Sequence, residues 1–190
     1  MTDTYDTSSF FIKTTTVGYS GHGKTCMFTT FAMGHCPTPE EYLPRVFQSA
    51  YCYSGHTSSG QPIEMGLWDT VGDEEYARLR PMSYPDTDII ILCFSVESET
   101  RQQFQTLKSY WCEEIKQYCP NIPIILVATK IDLRDDDPNA ITSAEGRKMA
   151  ENIHAMYYRE ISSLRHEGIT ELFQLVVDIG CQRVKQKLKM

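Results

Sequence analysis

The segment that most constrains the fold spans residues 18–25 and reads GYSGHGKT. It fits the pattern G-x-x-x-x-G-K-[ST] and directly follows a run of β-type residues, 10–17. A glycine-rich loop between a strand and a helix points successive backbone N–H groups at an anion, and the helix dipole adds to their effect. We therefore expect an α/β fold in which a phosphate loop, residues 18–25, joins a buried strand to a helix.

Each polar residue of this loop has a distinct expected role. The Lys24 ammonium is expected to reach the β- and γ-phosphates of a nucleotide and to take part in catalysis, and the Thr25 hydroxyl is expected to ligate Mg²⁺. A chance glycine turn is the alternative, and the motifs further along the chain argue against it. The residues predicted to bind phosphate are Gly21, His22, Gly23, Lys24, Thr25 and Cys26.

Length and composition indicate one globular domain. The chain has 190 residues, 41% hydrophobic and 23% charged, and we expect a domain over 1–190 with flexible ends at 1–8 and 186–190. The net charge of −7 disfavours a nucleic-acid-binding protein, which is normally basic. The seven cysteines show no metal-type spacing and no secretory leader is visible, so we expect reduced thiols and a cytoplasmic location. We also expect a monomer.

Strand-like runs alternate with segments of helical periodicity. Residues 89–94 are all apolar, as expected of a central strand covered on both faces. A capping box at 142–145 predicts the start of a helix, and apolar residues recur at helical spacing over 100–118 and from 169 onward. This alternation predicts a parallel sheet with helices on both faces, and the short link 55–61 predicts one antiparallel hairpin. The predicted strands are 10–17, 46–54, 62–68, 88–95, 122–128 and 157–161.

A D-x-x-G motif closes the predicted strand 62–68. An aspartate at a strand end downstream of a phosphate loop can hold Mg²⁺ through water, which predicts Asp69 as a metal residue. Gly72 can offer its N–H to a terminal phosphate with no side chain in the way. The motif alone also fits an ordinary turn, but its place after a phosphate loop and a hairpin favours the functional interpretation.

Two further segments predict recognition of guanine. A carboxylate at Asp132, after the apolar strand 122–128, can accept hydrogen bonds from guanine N1 and N2 and has no such match to adenine. The segment 162–164 would place a backbone N–H near guanine O6. Alone, both segments also fit surface turns. The predicted guanine-binding residues are Thr129, Lys130, Asp132, Ser162, Ser163 and Leu164.

These motifs together resemble the Rho family of small GTPases, within the Ras superfamily. The resemblance covers roughly 8–185 and is most specific at EYARLRPMSYPDTD, residues 75–88, and CPNIPIILV, residues 119–127. It implies a P-loop NTPase fold with a six-stranded, mostly parallel sheet, one antiparallel edge strand and helices on both faces. It also implies a GDP/GTP switch with two loops near 36–48 and 71–84, read by effector proteins, served by exchange factors and acting on the actin cytoskeleton.

The first switch departs from the family pattern. By the resemblance, this switch includes Tyr42, Pro44, Arg45, Val46 and Phe47, and Arg45 stands where the family carries a threonine that ligates Mg²⁺. A guanidinium has five donors and no acceptor, so it cannot ligate a cation. Arg45 could instead bind a phosphate or point into solvent. Either way, we expect the connection between the first switch and Mg²⁺ to lack one bond.

Two departures lie beside the expected γ-phosphate. Ser20 replaces a glycine there, and its side chain crowds the space in which a catalytic glutamine or an activator's arginine would act. Asp73 replaces the glutamine that orients the attacking water. An ionised carboxylate cannot donate to water and adds negative charge near a negative transition state. We therefore predict slow hydrolysis; tolerated loop variation, or another residue that positions water, is the alternative.

Two functions stay open from the sequence. The first is a Rho-like guanine-nucleotide switch that binds GTP or GDP with Mg²⁺ and hydrolyses GTP slowly. The second is a pseudo-GTPase, an interaction module whose nucleotide is constitutive or absent. The stretch between Asp132 and Ser143 is too short for the extra helix of Rho proteins, and no terminal C-a-a-X box is present. Membrane association stays open, because a chain truncated before a lipidation site would look the same.

Overall fold

The computed structural model describes residues 10–38, 48–57 and 60–187, without the side chains of 48–51. Its centre is a six-stranded sheet with the order β2-β3-β1-β4-β5-β6. Strand β2 pairs antiparallel with β3, and all other neighbours are parallel. The strands are β1 Phe10–Val17, β2 Gln48–His56, β3 Pro62–Thr70, β4 Ile89–Ser95, β5 Ile124–Thr129 and β6 Tyr157–Glu160. The predicted α/β class, sheet and single antiparallel edge strand are confirmed.

Helices cover both faces of the sheet. One face packs against α1 and α5, and the other packs against α2, α3 and α4. Helix α4 begins with the predicted capping box, in which Thr142 and Glu145 exchange side-chain and backbone hydrogen bonds. The helices are α1 Lys24–Met33, α2 Arg101–Gln105, α3 Glu113–Tyr118, α4 Ser143–Asn152 and α5 Ile169–Lys187. Helix α5 includes residues 186 and 187, which the sequence assigned to a terminal segment.

Strand β4 lies at the centre of the core. Its odd-numbered residues Ile89 and Ile91 pack towards α1 and α5, and its even-numbered Ile90 and Leu92 pack towards the opposite helices. All of its side chains are buried. The uninterrupted apolar run therefore reflects burial on both faces, as predicted.

The helical segment 101–118 differs from the prediction in its internal geometry. Between α2 and α3 the chain forms a π-helical turn over Leu107–Cys112. Such turns are rare in proteins and are often found at functional sites. The apolar periodicity of Phe104, Leu107, Trp111 and Ile115 is retained, and all four side chains are buried.

Strand β1 has the predicted bounds, and the bounds of the other five strands differ from the prediction by one or two residues. Strand β3 continues to Thr70, so Asp69 lies inside a strand end, and β5 begins at Ile124 and includes Thr129. The hydrogen bonds between neighbouring strands decide where each strand ends, and the amino-acid composition of a segment does not show where these bonds stop. In the described part of the chain, no helix is both long and apolar enough to cross a bilayer.

An ionic cluster joins α4 to β6 on the side of the sheet away from β2. Glu160 accepts hydrogen bonds from Arg134 at 2.8 Å, Ser143 at 3.0 Å and Tyr158 at 2.6 Å. Burial alone would raise the pKa of the Glu160 carboxyl, but these donors outweigh it and hold the pKa below its usual value.

Candidate functional site

The predicted site residues meet at one edge of the sheet. Parallel strands β1, β3, β4 and β5 all end on this edge, where open α/β sheets bind their ligands. The phosphate loop follows β1, Asp69 and Gly72 lie at and beyond the end of β3, and residues 129–132 lie at the end of β5. The fold therefore assembles groups that are more than 100 residues apart in sequence.

Lys24 lies inside the phosphate loop. Its ammonium donates to the carbonyl oxygens of Gly18 at 2.7 Å and Tyr19 at 2.8 Å, and its side chain is buried. Burial lowers the pKa of Lys24, and the negative charge of Asp69 opposes this change. Gly23 caps helix α1 with a φ of 76°, a left-handed conformation that favours glycine. The lysine and the helix start are thus held by the loop backbone.

Thr25 and Asp69 form the predicted metal pair. The Thr25 hydroxyl donates to Oδ2 of Asp69 at 2.5 Å. Oδ1 of Asp69 is buried and has no hydrogen-bond partner among the described residues. Burial raises the pKa of this carboxyl, while the Thr25 hydrogen bond and Lys24 oppose the rise. A hydroxyl beside a buried carboxylate with one unpartnered oxygen fits a Mg²⁺ ion, whose preferred ligands are oxygen atoms.

Gly72 lies against the backbone of the phosphate loop. A Cβ at this position would stand 2.2 Å from the carbonyl oxygen of Gly18 and 2.4 Å from the amide nitrogen of Ser20. These atoms belong to the backbone and cannot rotate away. The second switch can therefore start this close to the loop only with glycine at position 72.

Thr129 connects the predicted base-binding segment to the phosphate loop. Its hydroxyl lies 2.9 Å from the carbonyl oxygen of His22 and 3.1 Å from that of Phe94. Lys130 follows with a φ of 58° and pairs with Glu97 at 2.6 Å. Left-handed backbone is uncommon for a residue with a side chain, and such residues cluster at binding sites.

Asp132 is buried and oriented by the last predicted segment. Ser162 donates its hydroxyl to Oδ1 of Asp132 at 2.5 Å, and the backbone N–H of Arg165 donates to the Ser162 hydroxyl at 3.0 Å. Ser163 is partly exposed and Leu164 is 73% exposed. The fold therefore brings Asp132 and Ser162 together, while the Leu164 side chain points outward.

A cavity of about 370 Å³ is lined by residues of the phosphate loop, the second switch and helix α2. Ser20 and Asp73, the two departures that predict slow hydrolysis, both line it together with Gly72. Its further lining residues are Tyr19, Glu74, Gln102, Gln103 and Thr106. The two altered positions therefore share one space beside the loop.

Arg80 holds the second switch from within the core. Its guanidinium pairs with both oxygens of Glu114, at 2.7 and 2.8 Å, and donates to the carbonyl oxygen of Val71 at 3.0 Å. The Arg80 side chain is fully buried and lies 4.4 Å from the centre of the Trp111 ring. Tyr84 adds a short hydrogen bond to the same carboxylate.

Several of these residues were missed by the sequence analysis. Glu97 and Arg80 act through partners that lie 33 and 34 residues away, and no local pattern marks such pairs. His22 stays a predicted phosphate-binding residue, since the loop offers its backbone to the anion, and its side chain is buried and bonds to Gln103. Cys26 is half-buried in the first turn of α1, and Gly21 is exposed. The predicted first-switch residues Tyr42, Pro44, Arg45, Val46 and Phe47 lie outside the described residues.

In this fold, a phosphate loop follows the first strand of a mostly parallel sheet, and an aspartate lies at a strand end beside it. This arrangement defines the class of P-loop nucleotide-binding proteins. The Ras family model matches residues 13–181, which is most of the chain. The chain therefore belongs to the Ras family of small GTP-binding switch proteins.

Proposed function

We propose that this protein is a Rho-like guanine-nucleotide switch that retains GTP and hydrolyses it slowly. The observation that carries the proposal is the shared cavity lined by Ser20 and Asp73, beside a binding half of the site that keeps its expected residues. Lys24, Thr25, Asp69 and Asp132 supply that binding half. The site is thus suited to hold a nucleotide more than to consume it.

The binding roles follow from the contacts. Lys24 and the loop N–H groups bind the phosphates, and Gly72 offers its N–H beside them. Asp132, oriented by Ser162, accepts from guanine, while Thr129 holds the base segment against the loop and Lys130 is held by Glu97. Thr25 and Asp69 would hold Mg²⁺. When bound, this ion neutralises charge on the β- and γ-phosphates.

Slow hydrolysis follows from the chemistry at Asp73. An ionised carboxylate accepts from the attacking water but cannot donate to a γ-phosphate oxygen, and its charge opposes the charge of the transition state. Ser20 narrows the same space. Loss of one positioned donor to a transition state costs about 10²–10³ in rate in other enzymes. The changes at Ser20 and Asp73 both lower the rate.

The test is single-turnover hydrolysis of preloaded GTP by the wild type and by Asp73→Gln. We expect a very slow wild-type rate and an increase of about 100-fold in the variant, the lower end of what a positioned general acid or base contributes. Glu74→Gln is the matched control: it removes a neighbouring charge from the same cavity and should leave the rate unchanged. Wild-type turnover at the rate of an ordinary small GTPase would refute slow hydrolysis.

A pseudo-GTPase module is the second candidate. It is supported by Arg45, which stands where the Rho family carries a Mg²⁺-ligating threonine. In that case nucleotide would not change the exposure of the switches. Limited proteolysis with GDP and with a non-hydrolysable GTP analogue separates the candidates. A different cleavage pattern between the two states supports a switch, and identical patterns support a module.

The partners of the proposed switch follow from the Rho resemblance. Effector proteins would read the two switch loops, exchange factors would release the nucleotide, and the output would act on the actin cytoskeleton. We further propose that the protein acts as a monomer in the cytoplasm.

A further inference from the structure

Two side chains of the phosphate loop bind to the helical segment behind it. The Tyr19 hydroxyl lies 2.7 Å from the hydroxyl of Thr106, and Nε2 of His22 lies 2.9 Å from Oε1 of Gln103. Both loop residues are buried, at 8% and 1% exposed, and their rings pack edge to face at 5.6 Å. The loop is therefore fixed to α2 and the start of the π-helical turn by side chains as well as by its own backbone.

The same helical segment holds the second switch. The Tyr110 ring stacks on Tyr19 at 5.7 Å, and its hydroxyl accepts from Arg80 at 3.3 Å. The Trp111 ring packs edge-on against Tyr19 at 5.4 Å and lies beneath the Arg80 guanidinium. Tyr110 and Trp111 thus contact the phosphate loop on one side and the second switch on the other. Both residues belong to the π-helical turn, so this turn carries the contacts to the loop and to the second switch.

We propose that Tyr19 and His22 are positioning residues that set the rate of nucleotide release. They keep the phosphate loop in its binding geometry by fixing it to residues 103–111. Because Tyr110 and Trp111 also hold Arg80, a partner that moves the second switch loosens the loop through these two rings. The proposal rests on nucleotide binding by the family and is independent of slow hydrolysis.

The test measures dissociation of fluorescent mant-GDP from the full chain. Tyr19→Phe removes only the hydroxyl that bonds to Thr106, and Gln103→Ala removes the partner of His22. Each is expected to speed release about fivefold, the factor that corresponds to one ordinary hydrogen bond. Tyr157→Phe and Gln105→Ala, which change the same residue types on exposed parts of β6 and α2, should release mant-GDP at the wild-type rate.

Two readouts separate positioning from general destabilisation. The loop grips the β-phosphate, so the affinity for GDP should fall while the affinity for GMP stays the same; a global loss of stability lowers both. Tyr110→Phe keeps the ring on Tyr19 but removes the bond to Arg80, and it should speed release about twofold. Combined with Tyr19→Phe, its effect should differ from the product of the single effects, because contacting residues are not additive.

Three outcomes overturn the proposal. Release rates within twofold of wild type for both Tyr19→Phe and Gln103→Ala would show that the loop does not need these contacts. Parallel losses of GDP and GMP affinity would assign the contacts to stability alone. Failure of the wild type to bind mant-GDP would overturn this proposal together with the proposed function. Fast GTP hydrolysis by the wild type, with accelerated release in the variants, would overturn only the proposed function.

Discussion

Replacing Arg80 with methionine tests how the second switch is held. The substitution keeps an unbranched side chain of similar length and removes a guanidinium that is fully buried. It breaks the two bonds to Glu114 and the bond to the carbonyl oxygen of Val71. Glu114, whose side chain is only 13% exposed, is then left with the Tyr84 hydroxyl as its remaining partner within this cluster.

The expected cost follows from this burial. Removing one partner of a buried ion pair destabilises a protein by about 3–5 kcal/mol, because the other charge stays buried without compensation. At about 2–4 °C per kcal/mol for a domain of this size, Tm should fall by about 6–20 °C. An exposed pair behaves differently: Arg165→Met removes the bridge to Asp135, whose side chains are 49% and 64% exposed, and should leave the free energy of unfolding close to that of the wild type.

Urea and thermal unfolding measure both variants. The double variant Arg80→Met/Glu114→Leu should recover at least half of the lost stability, because replacing a buried ion pair by apolar residues is often nearly neutral. An Arg80→Met loss below about 1 kcal/mol would refute the account of the pair, and so would a double variant whose loss equals the sum of the single losses.

The remaining predictions concern other contacts of the site and the sheet. Gly72→Ala forces its Cβ against the backbone of Gly18, so we expect a loss of about 1–3 kcal/mol in urea unfolding and faster mant-GDP release; unchanged values would show that the loop and the second switch do not meet there. Thr129→Val removes a hydroxyl whose one proton lies between two buried carbonyl oxygens, and it should cost about 1–2 kcal/mol; a neutral result in the same assay would contradict this role. Since the pKa of Glu160 is lowered in the folded state, its stabilisation is present above the unfolded pKa of about 4.3 and is lost as the pH falls through the folded value. Unfolding followed from about pH 5 to 3 should therefore show a smaller loss of stability for Glu160→Gln than for the wild type, and parallel curves would contradict the assignment.

The fold could be predicted from the sequence wherever a residue type or a local pattern is typical of one structural environment. The apolar run of β4 identifies a strand buried on both faces, and the glycines around Lys24 identify a strand–loop–helix junction. Asp69, Thr129 and Asp132 meet at one edge, because a parallel sheet brings its strand ends together; Asp69 and Thr129 lie inside the ends of β3 and β5, and Asp132 lies in the turn after β5.

The support of the site could not be predicted, because it depends on pairs that only the fold brings together. Arg80 and Glu114 have no local pattern in common, and the π-helical turn keeps the same apolar spacing as an ordinary helix. His22 is a further case: the motif says nothing of its side chain, and the fold buries that ring and bonds it to Gln103.

The identity of the nucleotide carried by the purified protein tests the central claim most directly. Denaturing the protein and separating the released nucleotide by chromatography requires no variant and no added ligand. A switch that binds well through Lys24 and Asp132 but hydrolyses poorly beside Ser20 and Asp73 should release mainly GTP. Release of GDP alone would contradict the account, since it would show that the bound nucleotide is turned over.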